Sequence, residues 1–331
     1  MKKELTAAIV GASGIGKHHA KWYAMEGAAV VAFVGTSPES VARTREAMAQ
    51  IFTFQGEGYT DIATMLDRCR PDAVSVCSPH NLHREHTLAC LDAGAHVLCE
   101  KPLVWDVAKS APEMLADAES MISAAERAGR ALAVNTQYVA AVKPYLELYE
   151  KQHGPLRRVQ RLHFRMESKG GASGPNEYDE IWIDLASHPL SLMLRLLPQA
   201  VFVAESAACT IRRQEVVAEF EMELPEGARC PVGIELRNIY DGAMVRRFAV
   251  NGFPAELAGG NDERGIYRTY IVAGGERRQC EDLVHTSVRR FVETVRGQGE
   301  PLATAAEGLR NLETQLELFG AARRDRCAGC E

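Results

Sequence analysis

The 331-residue chain has no apolar run approaching the ~20 residues that cross a bilayer. It has no excess of positive charge: 38 Lys and Arg stand against 44 Asp and Glu, a net charge of -6. That balance offers no electrostatic hold on nucleic acid or an anionic membrane. The opening residues, Met1-Lys-Lys-Glu-Leu5, lack the apolar core of a signal peptide, and the nine cysteines follow no pairing pattern. These absences predict a cytoplasmic chain with reduced thiols and with neither nucleic acid nor a membrane as partner. Cys327-Ala-Gly-Cys330 has no second pair, and no carboxylate or cysteine completes a tetrahedral set with His80, His83 and His86, so no metal is expected. Repeats and low-complexity segments are absent as well. What remains is an ordinary globular composition, 46% hydrophobic and 25% charged, long enough for two domains.

The most informative stretch is Val10-Gly11-Ala12-Ser13-Gly14-Ile15-Gly16, which follows an apolar run and precedes a helical segment, Lys17 to Glu26. A strand, a glycine turn and a helix form the geometry that binds a dinucleotide pyrophosphate on free helix N–H groups. Glycine turns also serve simply to pack a helix on a strand. Beyond it, strands and helices alternate through the strand Arg130 to Asn135, which predicts right-handed crossovers and a doubly wound parallel sheet. Ligands gather at the carboxyl ends of such strands, where Gly11–Gly16, Gly35–Ser37, Ser78–His83, Glu100–Pro102 and Asn135–Tyr138 all fall. After residue 137 the character changes. Leu162 to Ser168, Val201 to Ala208, Val216 to Leu224, Val232 to Asn238, Arg246 to Asn251 and Ile266 to Ala273 read as strands of a mainly antiparallel open sheet. A helix over Ile183 to Leu197 interrupts them, and two more close the chain. The segment Lys169 to Asn176 reads as a loop placed to cover a site. The expected division is 1–137 for dinucleotide binding and 138–331 for substrate binding and oligomerisation, with the last helices able to pack back on the first domain.

Three residues could carry proton chemistry. Lys101, at a strand end beside the expected cleft, can hold a substrate hydroxyl, although a lysine before a proline is ordinarily solvated. Asp184 and His188 stand four apart on an expected helix, so both point from one face; the pair can handle a proton near neutrality or simply satisfy a helix surface.

The chain resembles the glucose–fructose oxidoreductase / inositol dehydrogenase (Gfo/Idh/MocA) family from Ala7 to about Arg323. The resemblance rests on the glycine turn, Tyr59-Thr-Asp61 with Asp72-Ala-Val, Ser78-Pro79 with His83, Gly94-Ala-His-Val-Leu-Cys-Glu-Lys-Pro102, Asn135, and Asp184-Leu-Ala-Ser-His188. It implies an N-terminal Rossmann domain, a C-terminal α+β domain, and a homo-oligomer, dimer or tetramer, joined through the second sheet. It also implies an NAD(P)-dependent dehydrogenase that interconverts a hydroxyl and a ketone on a sugar, cyclitol or sugar derivative. Lys101, His188 and Asp184 would be catalytic. Gly11, Ala12, Ser13, Gly14, Ile15, Gly16, Ser78, Pro79, His83, Glu100, Lys101 and Asn135 would meet the cofactor, and His19 would pack near the nucleotide. Two departures stand out: Ser191 replaces an aspartate one turn after His188, and Gln137 replaces an arginine after Asn135.

The cofactor preference comes from a further absence. An NAD site usually ends its second strand with an acid on the ribose 2′-hydroxyl, but Val34 is followed by Gly35-Thr36-Ser37. Thr36, Ser37 and Arg43 would suit a 2′-phosphate, so NADP is expected over NAD. Arg165, Lys169, Arg237 and Tyr240 are possible substrate contacts suited to an acidic or phosphorylated sugar. Two other functions share the same fold: a non-catalytic NAD(P)- and sugar-binding regulator, and a redox-assisted glycosidase that recycles bound NAD.

Overall fold

A computed structural model describes residues 4–169 and 179–324. The loop expected before Asp184, beyond Lys169, and the C-x-x-C pair lie outside the described residues. The chain divides into two compact units, 1–137 with 284–309, and 138–283 with 310–331.

The first unit is a six-stranded, wholly parallel sheet. Its strands are β1 (Thr6–Val10), β2 (Ala29–Val34), β3 (Glu57–Tyr59), β4 (Ala73–Val76), β5 (His96–Glu100) and β6 (Leu132–Asn135), in the order β3-β2-β1-β4-β5-β6. Helices α1 (Gly16–Met25), α2 (Pro38–Ala49), α3 (Ile62–Cys69), α4 (His83–Asp92) and α5 (Ala111–Ala128) make the crossovers. Local signals set their ends. Ser37 and Asp61 accept from the backbone N–H groups of Ser40 and Thr64, Ser110 and Glu113 form a capping box, and Gly129 closes α5 with a left-handed φ of 61°. The central strands β1, β4, β5 and β6 are buried on both faces, which is why they read as largely apolar runs. Ile9, Phe33, Leu98, Trp22, Tyr23 and Met48 share one core with Val288, Phe291 and Val292 of a returning helix, α9 (Leu283–Val295). The strand order reverses between β1 and β4, so the crevice at their carboxyl ends is the switch point where this architecture takes ligands.

The second unit is a nine-stranded sheet with helices α6 (Val142–His153), α7 (Glu180–Leu185) and α8 (Ser187–Leu196). Its strands are β7 (Leu162–Lys169), β8 (Val201–Arg212), β9 (Glu215–Glu223), β10 (Arg229–Ile239), β11 (Arg246–Val250), β12 (Phe253–Asn261), β13 (Tyr267–Ala273), β14 (Glu276–Glu281) and β15 (Ala322–Arg324), which follows α10 (Ala305–Gly320). The order is β14-β13-β12-β11-β7-β10-β9-β8-β15, antiparallel except where β7 meets β10 and β8 meets β15. Three strands and α6 escape pattern reading. β12 contains Pro254, Gly259 and Gly260 and looks like a loop, β14 is a charged edge, and β15 is very short. The single helix expected over Ile183 to Leu197 is two helices that meet at Ala186. Pro189 has no N–H to give the Leu185 carbonyl, so the ladder breaks there.

Hairpin turns fix the register. Asn251-Gly252 joins β11 to β12 with φ of 54° and 85°, and Gly274-Gly275 joins β13 to β14 with 56° and 80°. Both are two-residue turns with positive φ, the type whose twist matches the strands. The Tyr145 hydroxyl on α6 donates to the Phe253 carbonyl at 2.9 Å and accepts from Val250 N–H at 3.2 Å, clamping the first hairpin. The Asn251 side chain accepts from Gln160 N–H at 2.6 Å and donates to the Arg158 carbonyl at 2.8 Å. Asn251→Ala loses these bonds and puts a β-carbon in left-handed backbone, so unfolding stability should fall by about 2 kcal/mol. Asn251→Gly, which keeps the conformation, should lose about half of that. Urea titration of both variants is the check, and equal losses would remove the conformational part of the argument.

Candidate functional site

In the first unit the glycine turn separates into two kinds of glycine. Gly11 has φ of 86°, and a β-carbon there would lie 2.6 Å from the Cys77 carbonyl oxygen. At Gly16 it would lie 2.5 Å from the Gly11 carbonyl oxygen. These two are required by the protein itself. Gly14 is not: nothing lies within 4 Å of the place its β-carbon would take. Ser13, Gly14 and Ile15 are exposed while Ala12 is buried. No side chain caps α1 at Ile15, so its first N–H groups keep their hydrogens for a ligand. An open cradle at an uncapped helix N-terminus fits a pyrophosphate.

Next to it, the end of β5 buries a carboxylate. Glu100 Oε1 lies 2.9 Å from His19 Nε2 and accepts from Asn135 Nδ2 at 2.5 Å, while Oε2 accepts from Lys101 N–H at 3.2 Å. Glu100 and Asn135 are register partners across β5 and β6. His19 Nδ1 reaches Ser75 Oγ at 3.0 Å, and that oxygen is 3.1 Å from the Tyr23 hydroxyl. Burial alone would raise the Glu100 pKa; the His19 bond and charge, the Asn135 amide and the Lys101 ammonium outweigh it and hold it at about 2. Cys77 brings its sulfur within 4.8 Å of ligand atoms of His19 and Glu100, and burial pushes its thiol pKa up. The hydrogen bonds account for that cluster without a metal. One acceptor in the network is left over: Asn135 Oδ1 is buried and unpartnered. Its amide cannot turn over, because the oxygen would then face the carboxylate. Gln137 Oε1, two residues on, is also buried and unpartnered. A buried acceptor without a donor costs about 1–3 kcal/mol, so two at one strand end mark a place built for something else to fill.

His83 lies behind the turn that carries Lys101. It is 1% exposed, and its ring nitrogens lie 2.9 Å from the Pro102 and Ser78 carbonyls, so it staples the turn after β4 to the turn after β5. Both ring nitrogens face backbone carbonyls. Burial lowers its pKa to about 4, against the pull of the two carbonyls. A neutral ring has one N–H, so only one of the two contacts is a hydrogen bond at neutral pH. Ser78 Oγ is taken by His86 Nδ1 at 2.9 Å, Pro79 begins the next turn, and the Lys101–Pro102 peptide is cis. At the tip of β2, Ser37 caps α2 with its hydroxyl, while Thr36 and Arg43 are exposed.

In the second unit, His188 is buried near the start of α8 with its ring 4.6 Å from that of Tyr138, and Asp184 is exposed on α7. Sequence reasoning missed what holds these helices. Gln315 Nε2 donates to the Trp182 carbonyl at 3.1 Å, Ser187 Oγ donates to Gln315 Oε1 at 2.9 Å, and Asn311 Nδ2 donates to the Ser187 carbonyl at 2.9 Å. Buried amides in a closing helix carried the signal, but nothing in the chain named their partners. Ser191, where an acid was looked for, donates to the His188 carbonyl at 2.7 Å. Arg165 and Arg237 are corrected. They project from the face of the sheet opposite α7 and α8, and pair with Glu167 and Glu215 at 2.7 Å each. Tyr240 accepts from Gln214 Nε2 at 2.6 Å and, like Lys169, is exposed.

A parallel sheet with its switch point beside an open glycine turn defines a dinucleotide-binding protein of the Rossmann class. Residues 5–136 match the family described as "Oxidoreductase family, NAD-binding Rossmann fold", GFO_IDH_MocA. In that stretch the chain is similar to the Gfo/Idh/MocA oxidoreductases. It is 27% identical over 304 residues to a 1,5-anhydro-D-fructose reductase from Ensifer adhaerens, covering 83% of this chain and 85% of the relative. It is 37% identical over 200 residues to a D-glucoside 3-dehydrogenase from Escherichia coli, covering 60% of this chain and 54% of the relative. A solved levoglucosan dehydrogenase, complexed with NADH and levoglucosan, superposes with a TM-score of 0.73 at 15% identity over 96% of this chain and 97% of that one. A 3-ketoreductase from Actinomadura kijaniata, solved with NADP, gives 0.73 at 18% identity over 97% and 98%. At those identities the structures speak for the fold.

Two depressed pKa values fix an acid limit. Protonating His83 costs stability between its ordinary 6.5 and about 4, and protonating Glu100 costs it between 4.5 and about 2. Both contributions are complete at neutral pH and are lost as pH falls, His83 first, by about 3 kcal/mol. The urea midpoint should drop from pH 6.5 to 4, and His83→Asn should flatten that slope. An unchanged slope in the variant would show that His83 is not the group titrating.

Proposed function

We propose that the chain is a nicotinamide-dependent oxidoreductase that interconverts a secondary hydroxyl and a ketone on a sugar, cyclitol or sugar derivative. The observation that carries the reading is the Gly14 turn, open where the protein itself has no need of glycine and facing uncapped helix N–H groups. When bound, the nicotinamide supplies the hydride acceptor or donor at C4. The turn from Gly11 to Gly16 holds the pyrophosphate on N–H groups beyond Gly11, whose own N–H donates to the Val34 carbonyl at 3.0 Å, with Ala12, Ser13 and Ile15 shaping the turn. Thr36, Ser37 and Arg43 meet the adenosine ribose, Ser78 and Pro79 line the nicotinamide side, and Asn135 Oδ1 accepts from the carboxamide. Glu100 and His83 act from behind, by fixing the turn that presents Lys101. Lys101 and His188 hold and move the hydroxyl proton, with Asp184 supporting the imidazole. The named activities of the relatives, a reductase and a dehydrogenase of sugar compounds, support the substrate class. The reading includes a cytoplasmic protein, in keeping with the free thiols of the described cysteines, and copies pairing through the open face of the second sheet.

The cofactor assignment is NADP over NAD, because residues 35–37 offer no carboxylate and Arg43 is exposed on α2. Titration should give tighter binding of NADPH than NADH. Ser37→Asp, which keeps the helix cap, should reduce or reverse that preference by repelling the 2′-phosphate. Tighter NADH binding by the unmodified protein would overturn the assignment.

Gly14→Val should weaken NAD(P) binding at least tenfold with an unchanged melting temperature, whereas Gly16→Val should lower the melting temperature as well. With a substrate drawn from sugars and cyclitols, Lys101→Ala and His188→Ala should each lower kcat by roughly 10²–10⁴-fold. The double variant should lose less than the product, because the two act as one unit. Near-normal kcat in both folded single variants would remove the proposed pair.

A further inference from the structure

The helix-covered face of the second sheet leaves one charge unanswered. Helices α6, α7 and α8 lie on this face, over β13 and β14, β9 and β10, and β7. The register puts Phe164, Met166, Leu236, Phe248 and Ile271 there, all buried. Along β7 and β9 to β14 the charged side chains on the same face are Arg246, Glu276 and Arg278. Glu276 pairs with Lys151 at 2.8 Å and Arg278 pairs with Glu147, both from α6. Arg246 forms no ion pair with any described residue; a guanidinium nitrogen lies 3.9 Å from the Met244 sulfur.

Arg246 is half-buried opposite Met166, and its backbone is held in place. The preceding Val245 N–H donates to the Glu167 carboxylate at 2.9 Å, and the Glu167 N–H donates to the Val245 carbonyl at 2.8 Å. The guanidinium lies near enough to the Tyr138 hydroxyl to favour its ionised form, against burial, which pushes its pKa up to about 12. Tyr267, Asp282 and Asp184 are the other groups whose charge reaches that hydroxyl. The Tyr138 ring is buried 4.6 Å from the ring of His188, and its hydroxyl makes no hydrogen bond with a described residue. A cation without a partner and a phenol without a partner thus stand together beside His188.

We propose that the substrate carries a carboxylate and that Arg246 grips it, which makes the chain a dehydrogenase of sugar acids. This rests on the oxidoreductase reading and narrows it. A guanidinium presents parallel N–H donors that match the two oxygens of a carboxylate, and partial burial strengthens the pair. The Tyr138 hydroxyl, kept protonated by burial, donates to the same end of the ligand. One carboxylate cancels the one open charge. A phosphate dianion would leave negative charge over beside Asp184 and Asp282. A neutral sugar would leave the half-buried cation as it is, so the site discriminates by charge as well as by fit.

The test compares matched ligands with NAD(P)⁺ present: methyl α-D-glucuronide against methyl α-D-glucoside, D-gluconate against D-glucitol, and D-glucose 6-phosphate as the dianion. Binding is followed by saturation-transfer NMR and turnover by nicotinamide absorbance. The carboxylate of each pair should bind about 10- to 100-fold more tightly than its neutral partner. Arg246→Leu should erase that ratio, and Arg246→Lys, which keeps the charge but loses the fork, should restore part of it. An unchanged melting temperature shows that the variants are folded, and Arg246→Gln replaces Arg246→Leu if the latter melts early. Equal or tighter binding of the neutral members, tightest binding of the phosphate, binding of none, or a ratio untouched in Arg246→Leu overturns the proposal. If the carboxylates bind preferentially through Arg246 but no hydride transfer follows, the recognition stands and the oxidoreductase reading falls.

Discussion

An ionised carboxylate buried at the end of a parallel strand constrains the first unit more than any other feature. Taken alone, Glu100 in that position would cost several kcal/mol, because water is gone and nothing replaces it. His19, Asn135 and the Lys101 amide replace the water, and they come from α1, β6 and β5. One charge thus ties a helix and two strands together at the point where Lys101 leaves the sheet. Removing any one donor leaves part of the buried charge unsolvated, so the arrangement tolerates little drift. Precision at Lys101 is in this sense a consequence of satisfying its neighbour.

The glycine turn and the His83 staple complete the same end of the sheet by opposite means. Gly11 and Gly16 are small because backbone lies where a side chain would go; Gly14 is small with nothing nearby. His83 is large and buried, and its ring fills the space between the Ser78 and Pro102 carbonyls of two turns. The open glycine and the uncapped start of α1 face outward.

The second unit is held by different physics. Its sheet depends on non-local antiparallel pairing, fixed by two positive-φ hairpin turns and by the Tyr145 hydroxyl. Its open face carries a ladder of opposite charges, with Arg237 against Glu215, Arg229 against Glu223 and Arg247 against Glu256, directly across neighbouring strands. Pairs so exposed contribute little stability each. On the other face, buried amides of α10 hold the helix pair that carries Asp184 and His188.

Much of the fold was legible in the chain, because period and turn chemistry are local. The apolar strands of the first unit, the capped helices, the glycine turn and the alternating strands of the second unit are all written in adjacent residues. β12 and β14 were not, since a strand rich in proline and glycine, or in charge, becomes a strand only when a neighbour pairs with it. The candidate site divides in the same way. Lys101, Asp184 and His188 could be picked out by type and spacing. His19 and Glu100 are 81 residues apart, and Glu100 and Asn135 are 35 apart. No local pattern says that these three share one buried charge, that His83 is committed to backbone, or that Arg165 and Arg237 face away from α8. Local chemistry determined which residues could act; the tertiary structure decided which are free to act, because desolvation and pairing depend on what the fold brings alongside.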